Sequence, residues 1–105
     1  MARFDVYANP GPQANTTPYL LDVQSDLLDG LDSRMVIPLR GLAHFANVKI
    51  PTRLMPVVSI HGKDCLLETP KMAAVPLRIL KDRVASLAAD QARITAALDF
   101  LFQGY

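Results

Sequence analysis

Only one stretch of this chain, Ala88 to Tyr105, sustains a helical period, and it lies at the end. Leu87, Gln91, Ile94, Leu98, Leu101 and Tyr105 follow at steps of four and three, so at about 100° per residue they share one face, which should dock on the rest of the molecule. Asp90 stands where an acid favours a helix N-terminus and Gly104 where a helix stops; the spacing predicts a helix from about Ser86 to about Phe102. Ala96, Asp99, Phe100 and Gln103 fall off the stripe. A ring, a carboxylate and the terminal Gln103-Gly104-Tyr105 therefore face away from the core, a mixture that points to a contact surface. An ordinary docking helix with a frayed end is the plainer reading of the same pattern.

Upstream, prolines and alternation replace that period. Arg3 to Tyr7 reads as a strand with Phe4 and Val6 inward, and Asn9 to Pro18 packs three prolines and a glycine into a surface loop. Tyr19, Leu21 and Val23 alternate with Leu20, Asp22 and Gln24 as a second strand; Asp29-Gly30 marks a turn before a third, Arg34 to Leu39, paired antiparallel to it. The adjacent Leu27 and Leu28 cannot both point inward, so one is expected in solvent or against a partner. Gly41 to Asn47 reads as a short helical turn, and Val57 to Ile60 and Cys65 to Thr69 as a hairpin around His61-Gly62-Lys63-Asp64. Pro70 and Pro76 exclude a long helix and leave a kinked edge strand before the C-terminal helix. The expected architecture is α+β and mainly β: one domain over 1–105, an antiparallel sheet curved towards a barrel and closed by one C-terminal α-helix.

A chain of 105 residues buries one core. Half its residues are hydrophobic and 20% are charged, apolar enough that a two-fold homodimer is expected. A net charge of +1 supplies no broad basic field for nucleic acid. The N-terminus lacks a signal-peptide pattern and no apolar run approaches the roughly 20 residues of a membrane span, so a soluble protein without membrane contact is expected. Cys65 has no partner for an internal disulfide, which fits a reducing cytoplasm.

Sites for bond chemistry are hard to assemble from this sequence. His44, His61 and Cys65 lack metal-binding spacing, and no phosphate loop or acyl-transfer motif occurs, so no metal, cofactor or nucleotide is expected. His61 and Cys65, four apart across a hairpin, allow a thiolate nucleophile, but nothing orients the imidazole, and a buried structural cysteine is the commoner case. Asp22, Asp26, Asp29 and Asp32 straddle a strand end and a turn and read as a solvated acidic loop before a cation site.

Asp22-Val23-Gln24-Ser25-Asp26-Leu27-Leu28-Asp29, followed by Arg34-Met35-Val36-Ile37-Pro38-Leu39, resembles the CcdB family of bacterial toxins. Phe4-Asp5-Val6-Tyr7, Met55-Pro56-Val57-Val58-Ser59-Ile60, Met72-Ala73-Ala74-Val75-Pro76 and the final Gly104-Tyr105 recur in the same order, so the resemblance covers essentially the whole chain. It implies a small SH3-like barrel that dimerises, a non-enzymatic poison of DNA gyrase neutralised by a CcdA-like antitoxin. With that antitoxin, and only then, it would contact DNA and repress its own operon, in the setting of plasmid maintenance. In the family the C-terminal helix and its last residues enter the gyrase A subunit and trap the cleaved DNA complex, aided by the two apolar residues after Gln-Ser-Asp. The corresponding positions are Asp99, Phe102, Gln103, Gly104 and Tyr105, with Leu27 and Leu28.

Two departures stand out. The best-known members carry tryptophan where Gln103 stands and an aliphatic residue where Tyr105 stands. Glutamine offers hydrogen bonds in place of a large stacking surface, which leaves room for a weakly toxic homologue that keeps its antitoxin binding. The alternative of a different class is an endoribonuclease toxin of the structurally similar MazF type, with Arg34, Arg40, Lys49 and Arg53 lining an RNA groove.

Overall fold

A computed structural model describes residues 2–28, 30–45 and 49–104, with His44 and Phe45 described by their backbone only. Seven strands follow in order: β1 (Asp5–Ala8), β2 (Tyr19–Asp22), β3 (Ser33–Gly41), β4 (Val57–Ile60), β5 (Lys63–Leu67), β6 (Ala73–Pro76) and β7 (Arg83–Ser86), before the helix α1 (Gln91–Gln103). All pairings are antiparallel, and the sheet runs β4-β5-β3-β2-β1-β7. β3 is long enough to serve two neighbours in turn: Ser33 to Val36 pair with β6, and Leu39 to Gly41 pair with β5.

The sheet curls until its ends approach. His61, at the tip of the β4–β5 hairpin, lies with Nε2 2.7 Å from the carbonyl oxygen of Val84 in β7. A carbonyl only accepts, so this nitrogen carries the proton. Val6, Leu21 and Ile37 stand in register across β1, β2 and β3 and form the main core with Leu39, Val58, Ile60, Cys65, Leu67, Leu87 and Ile94. The helix thus closes a half-barrel, as expected.

The opposite face is buried too. Tyr7, Leu20, Val36 and Leu80 make a second cluster, with Val75 and Ile79 packed on it. The simple alternation gave Asp5 and Tyr7 to an outer face, yet Asp5, Val6 and Tyr7 are all buried. The segment after β6 folds back over that face, and Asp5 is held by Arg83 at 3.0 Å. β1 also starts two residues later than the alternation indicated. Phe4 has φ +74°, outside the strand region and uncommon for a bulky residue; its N–H donates to Asp22 O at 2.7 Å and its carbonyl accepts from Leu87 N at 2.8 Å.

The kinked edge strand expected near Pro76 is two strands, β6 and β7, joined by a 3-10 turn at Leu77–Ile79. This displaces the helix start. Ser86 still pairs with Asp5, and a 3-10 turn at Ala88–Asp90 precedes Gln91, so α1 begins about five residues late. Its end agrees to within a residue. Gly104, at φ +81° and ψ 11°, turns the chain left-handed and donates its N–H to Phe100 O at 2.9 Å, the stop that only glycine adopts without strain. Of the expected stripe, Leu87 and Ile94 are buried and Leu98 and Leu101 half-buried, whereas Gln91 is exposed and Ala97 takes a core place instead. The expected turn at Gly41 to Asn47 is present as a 3-10 turn at Leu42–Phe45; residues 46–48 lie outside the described residues.

Candidate functional site

Two exposed elements carry the residues singled out in the sequence. The first is the β2–β3 connection. A 3-10 turn at Asp26–Leu28 buries none of its residues: Leu27 is 95% exposed and Leu28 50%. Sequence reasoning expected one leucine of the pair in solvent; both are there. It missed Leu31, also 50% exposed, because a leucine beside Gly30 carries no periodic signal. Asp29 lies outside the described residues.

This connection hangs from a buried ion pair. Asp22 and Arg34 are both fully buried and meet at 2.7 Å from Arg34 Nη2, with a second bond at 2.9 Å from Arg34 Nε. Burial pushes the Asp22 carboxyl above its ordinary value, and the hydrogen bonds from Arg34 and from Gln24 N–H pull it back only in part. Asp26 joins the network, accepting from Arg3 N at 2.8 Å and standing 3.7 Å from Arg34. Asp22 is therefore withdrawn from the expected solvated acidic loop, whereas Asp26 and Asp32 are exposed. Among the described residues no group of three or more His, Cys, Asp or Glu could hold a metal ion.

The second element is the end of α1. Asp99, Phe102, Gln103 and Gly104 are all exposed, Phe102 at 71%; Tyr105 lies outside the described residues. Phe100, assigned to the side away from the core, is half-buried beneath Arg53, whose guanidinium carbon is 4.9 Å from the ring centroid. Asp99 lines a groove of about 350 Å³ between α1 and the loop before β4, together with Thr52, Arg53, Pro56, Arg93 and Ala96. Arg93 fixes one wall by donating to Val57 O and pairing with Asp90 at 3.3 Å.

The catalytic readings lose their geometry. Cys65 is fully buried, its Sγ 3.9 Å from Lys63 O, and burial raises its thiol above the ordinary value. His61 turns to Val84 instead. The basic groove for RNA fails at Arg34, which the sequence offered as a groove residue and which the fold turns into the core against Asp22. Arg53 lies on Phe100, and Arg40 lines a separate cavity of about 340 Å³ with Glu68 and Lys71.

The family model described as CcdB protein matches residues 3–104. The chain belongs to the CcdB family. That match spans both exposed elements and the ion pair that flanks the first, so the CcdB resemblance seen in the Asp-Val-Gln-Ser-Asp and Met-Val-Ile-Pro-Leu blocks extends over the whole fold.

Proposed function

We propose that this protein is the toxin of a toxin–antitoxin pair, which binds the DNA gyrase A subunit and holds the cleaved DNA complex. It acts by binding and not by bond chemistry, as a homodimer in the cytoplasm. A CcdA-like antitoxin neutralises it, and the two together repress their operon. The contact residues are Leu27 and Leu28 on the β2–β3 turn and Asp99, Phe102, Gln103, Gly104 and Tyr105 at the helix end.

The observation that carries this reading is the exposure of Leu27 and Phe102. Large apolar side chains held in water lose the free energy that burial would return, about 1.5–3 kcal/mol each, and these two stand at positions the CcdB pattern marks for contact. A few such side chains seated in a partner's pocket supply most of the energy of an interface. Gln103 supplies little of this, so the bound complex depends more on Phe102 and Tyr105 than on Gln103.

The test is purified protein with gyrase, ATP and supercoiled DNA, scored for protein-trapped linear DNA, with an RNA-cleavage reaction alongside. Trapped linear DNA is expected and RNA is expected to stay intact. RNA cleavage without trapping would replace the gyrase reading by the ribonuclease one. Sedimentation at micromolar protein tests the dimer: a single 11.5 kDa species would remove it.

A further inference from the structure

The Leu27–Leu28 turn is held at its start, where Asp26 accepts from Arg3 N at 2.8 Å and Ser25 Oγ accepts from Leu27 N at 3.2 Å, but the two leucine side chains add no restraint at its end. It is a three-residue 3-10 turn, with Leu27 almost entirely in solvent, and such a segment ordinarily samples many conformations. Within the turn the main chain contributes a bond from Leu28 N to Ser25 O at 3.0 Å, and Leu31 N follows with one to Leu28 O at 3.3 Å.

The restraint at the Leu28 end comes from one half-buried side chain. Gln24 Nε2 donates to Leu28 O at 3.2 Å and to Ser33 O at 3.3 Å, while its Oε1 accepts from Met35 N at 3.1 Å. Two carbonyls on one side and an N–H on the other fix the amide's orientation without ambiguity. The backbone of Gln24 is in turn anchored on the buried ion pair: its N–H donates to Asp22 Oδ1 at 3.0 Å and its carbonyl accepts from Arg34 Nη2 at 3.3 Å. The bonds therefore form a chain from the buried pair, through Gln24, to the carbonyl of Leu28. They tie both limbs of the connection, Leu28 before Gly30 and Ser33 after it, to the first residues of β3.

We infer that Gln24 is a positioning residue whose side-chain amide sets the pose in which Leu27 and Leu28 meet a protein partner. This deepens the gyrase reading and rests on it for the partner, while the hold on the turn stands on the hydrogen bonds alone. Gln24 itself touches the partner only through the two leucines. An ordered turn binds more tightly than a mobile one because its conformational entropy is not lost on association.

Two variants separate the amide's donors from its bulk. Gln24→Met keeps the length and removes every bond; Gln24→Glu keeps the acceptor for Met35 N but sets a carboxylate against the carbonyls of Leu28 and Ser33. Backbone 15N relaxation of the free protein is the first measurement. In the unsubstituted protein the order parameters at Leu27 and Leu28 are expected near ~0.85, falling to about 0.6 or below in both variants while that of Ile37 in β3 is unchanged. Unchanged values at Leu27 and Leu28, or an equal fall at Ile37, would overturn the inference.

The second measurement is gyrase affinity in a double-mutant cycle. Gln24→Met is expected to weaken binding about tenfold, the factor that one to two net hydrogen bonds correspond to. In a Leu27→Ala, Leu28→Ala background it should weaken binding no further, and additive losses would overturn the inference. If the unsubstituted protein does not bind gyrase, the gyrase reading alone fails, and the relaxation measurement decides whether Gln24 holds the turn.

Discussion

Ile94→Ala and removal of residues 103–105 act on the same helix and should separate stability from binding. Ile94 is fully buried in the main core cluster. Shortening it to alanine removes three carbons, about 2.4 kcal/mol at ~0.8 kcal/mol for each, and leaves a cavity beneath a helix whose backbone is held at both ends. The total is about 3 to 4 kcal/mol, inside the ~2–5 kcal/mol span for such truncations. At roughly 4 °C per kcal/mol for a chain of this size, the melting point should fall by about 12 to 16 °C. Removing Gln103-Gly104-Tyr105 deletes two exposed residues and one capping hydrogen bond, Gly104 N to Phe100 O, worth about 1 kcal/mol and roughly 4 °C. Gyrase affinity should respond in the opposite order. Folded Ile94→Ala protein should bind nearly as well as the parent, whereas the truncated protein should lose about thirtyfold or more, the factor for deleting an interface hot spot of ~2 kcal/mol. A thermal melt paired with a gyrase titration at a temperature where both variants are folded makes the comparison. Unchanged affinity in the truncated protein, or a melting point lowered as far as in Ile94→Ala, would show that the tail is structural.

Four further outcomes are expected. Arg34→Met leaves the Asp22 carboxylate buried without its guanidinium, a loss of about 3–5 kcal/mol near pH 7. The pH sign follows from the raised folded value of Asp22: protonation favours the folded state, so that contribution is present at low pH and is lost as pH rises through the folded value. Without Arg34 the rise should be larger, so urea titrations should show the deficit against the parent narrowing as pH falls below 7; a constant deficit would refute the argument. The buried Cys65 thiol, shifted upward, should resist iodoacetamide at pH 8 until urea unfolds the chain, and His61→Ala should lower the melting point through the lost bond to Val84 while leaving gyrase trapping unchanged. Gln103→Trp should strengthen trapping, because a large ring replaces an amide at an exposed position beside Phe102; equal trapping would mean that this position makes no contact.

The terminal helix was legible in the sequence, because a period near 3.6 and a glycine stop are local properties of a chain. So were the β2–β3 pairing and the existence of the β4–β5 hairpin, although its turn is only His61-Gly62 and β5 runs Lys63–Leu67, two residues earlier than the expected Cys65 to Thr69. The exposed leucines were legible for a related reason: two adjacent apolar residues at a turn cannot share one interior. What lay beyond reach depended on segments distant in sequence. Residues 75–80 cover the second face of the sheet, and this converts Tyr7 and Leu20 from outward to buried positions. Ser86 stays in the ladder because Asp5 is beside it, which delays the helix. Arg34 looked like a surface cation and is instead the buried partner of Asp22, since a charge enters a core only when the fold places its counter-charge there. The hold of Gln24 on Leu28, Ser33 and Met35 belongs to the same class. Residue types and spacing state what each side chain can bond; only the closed half-barrel decides which groups come within reach.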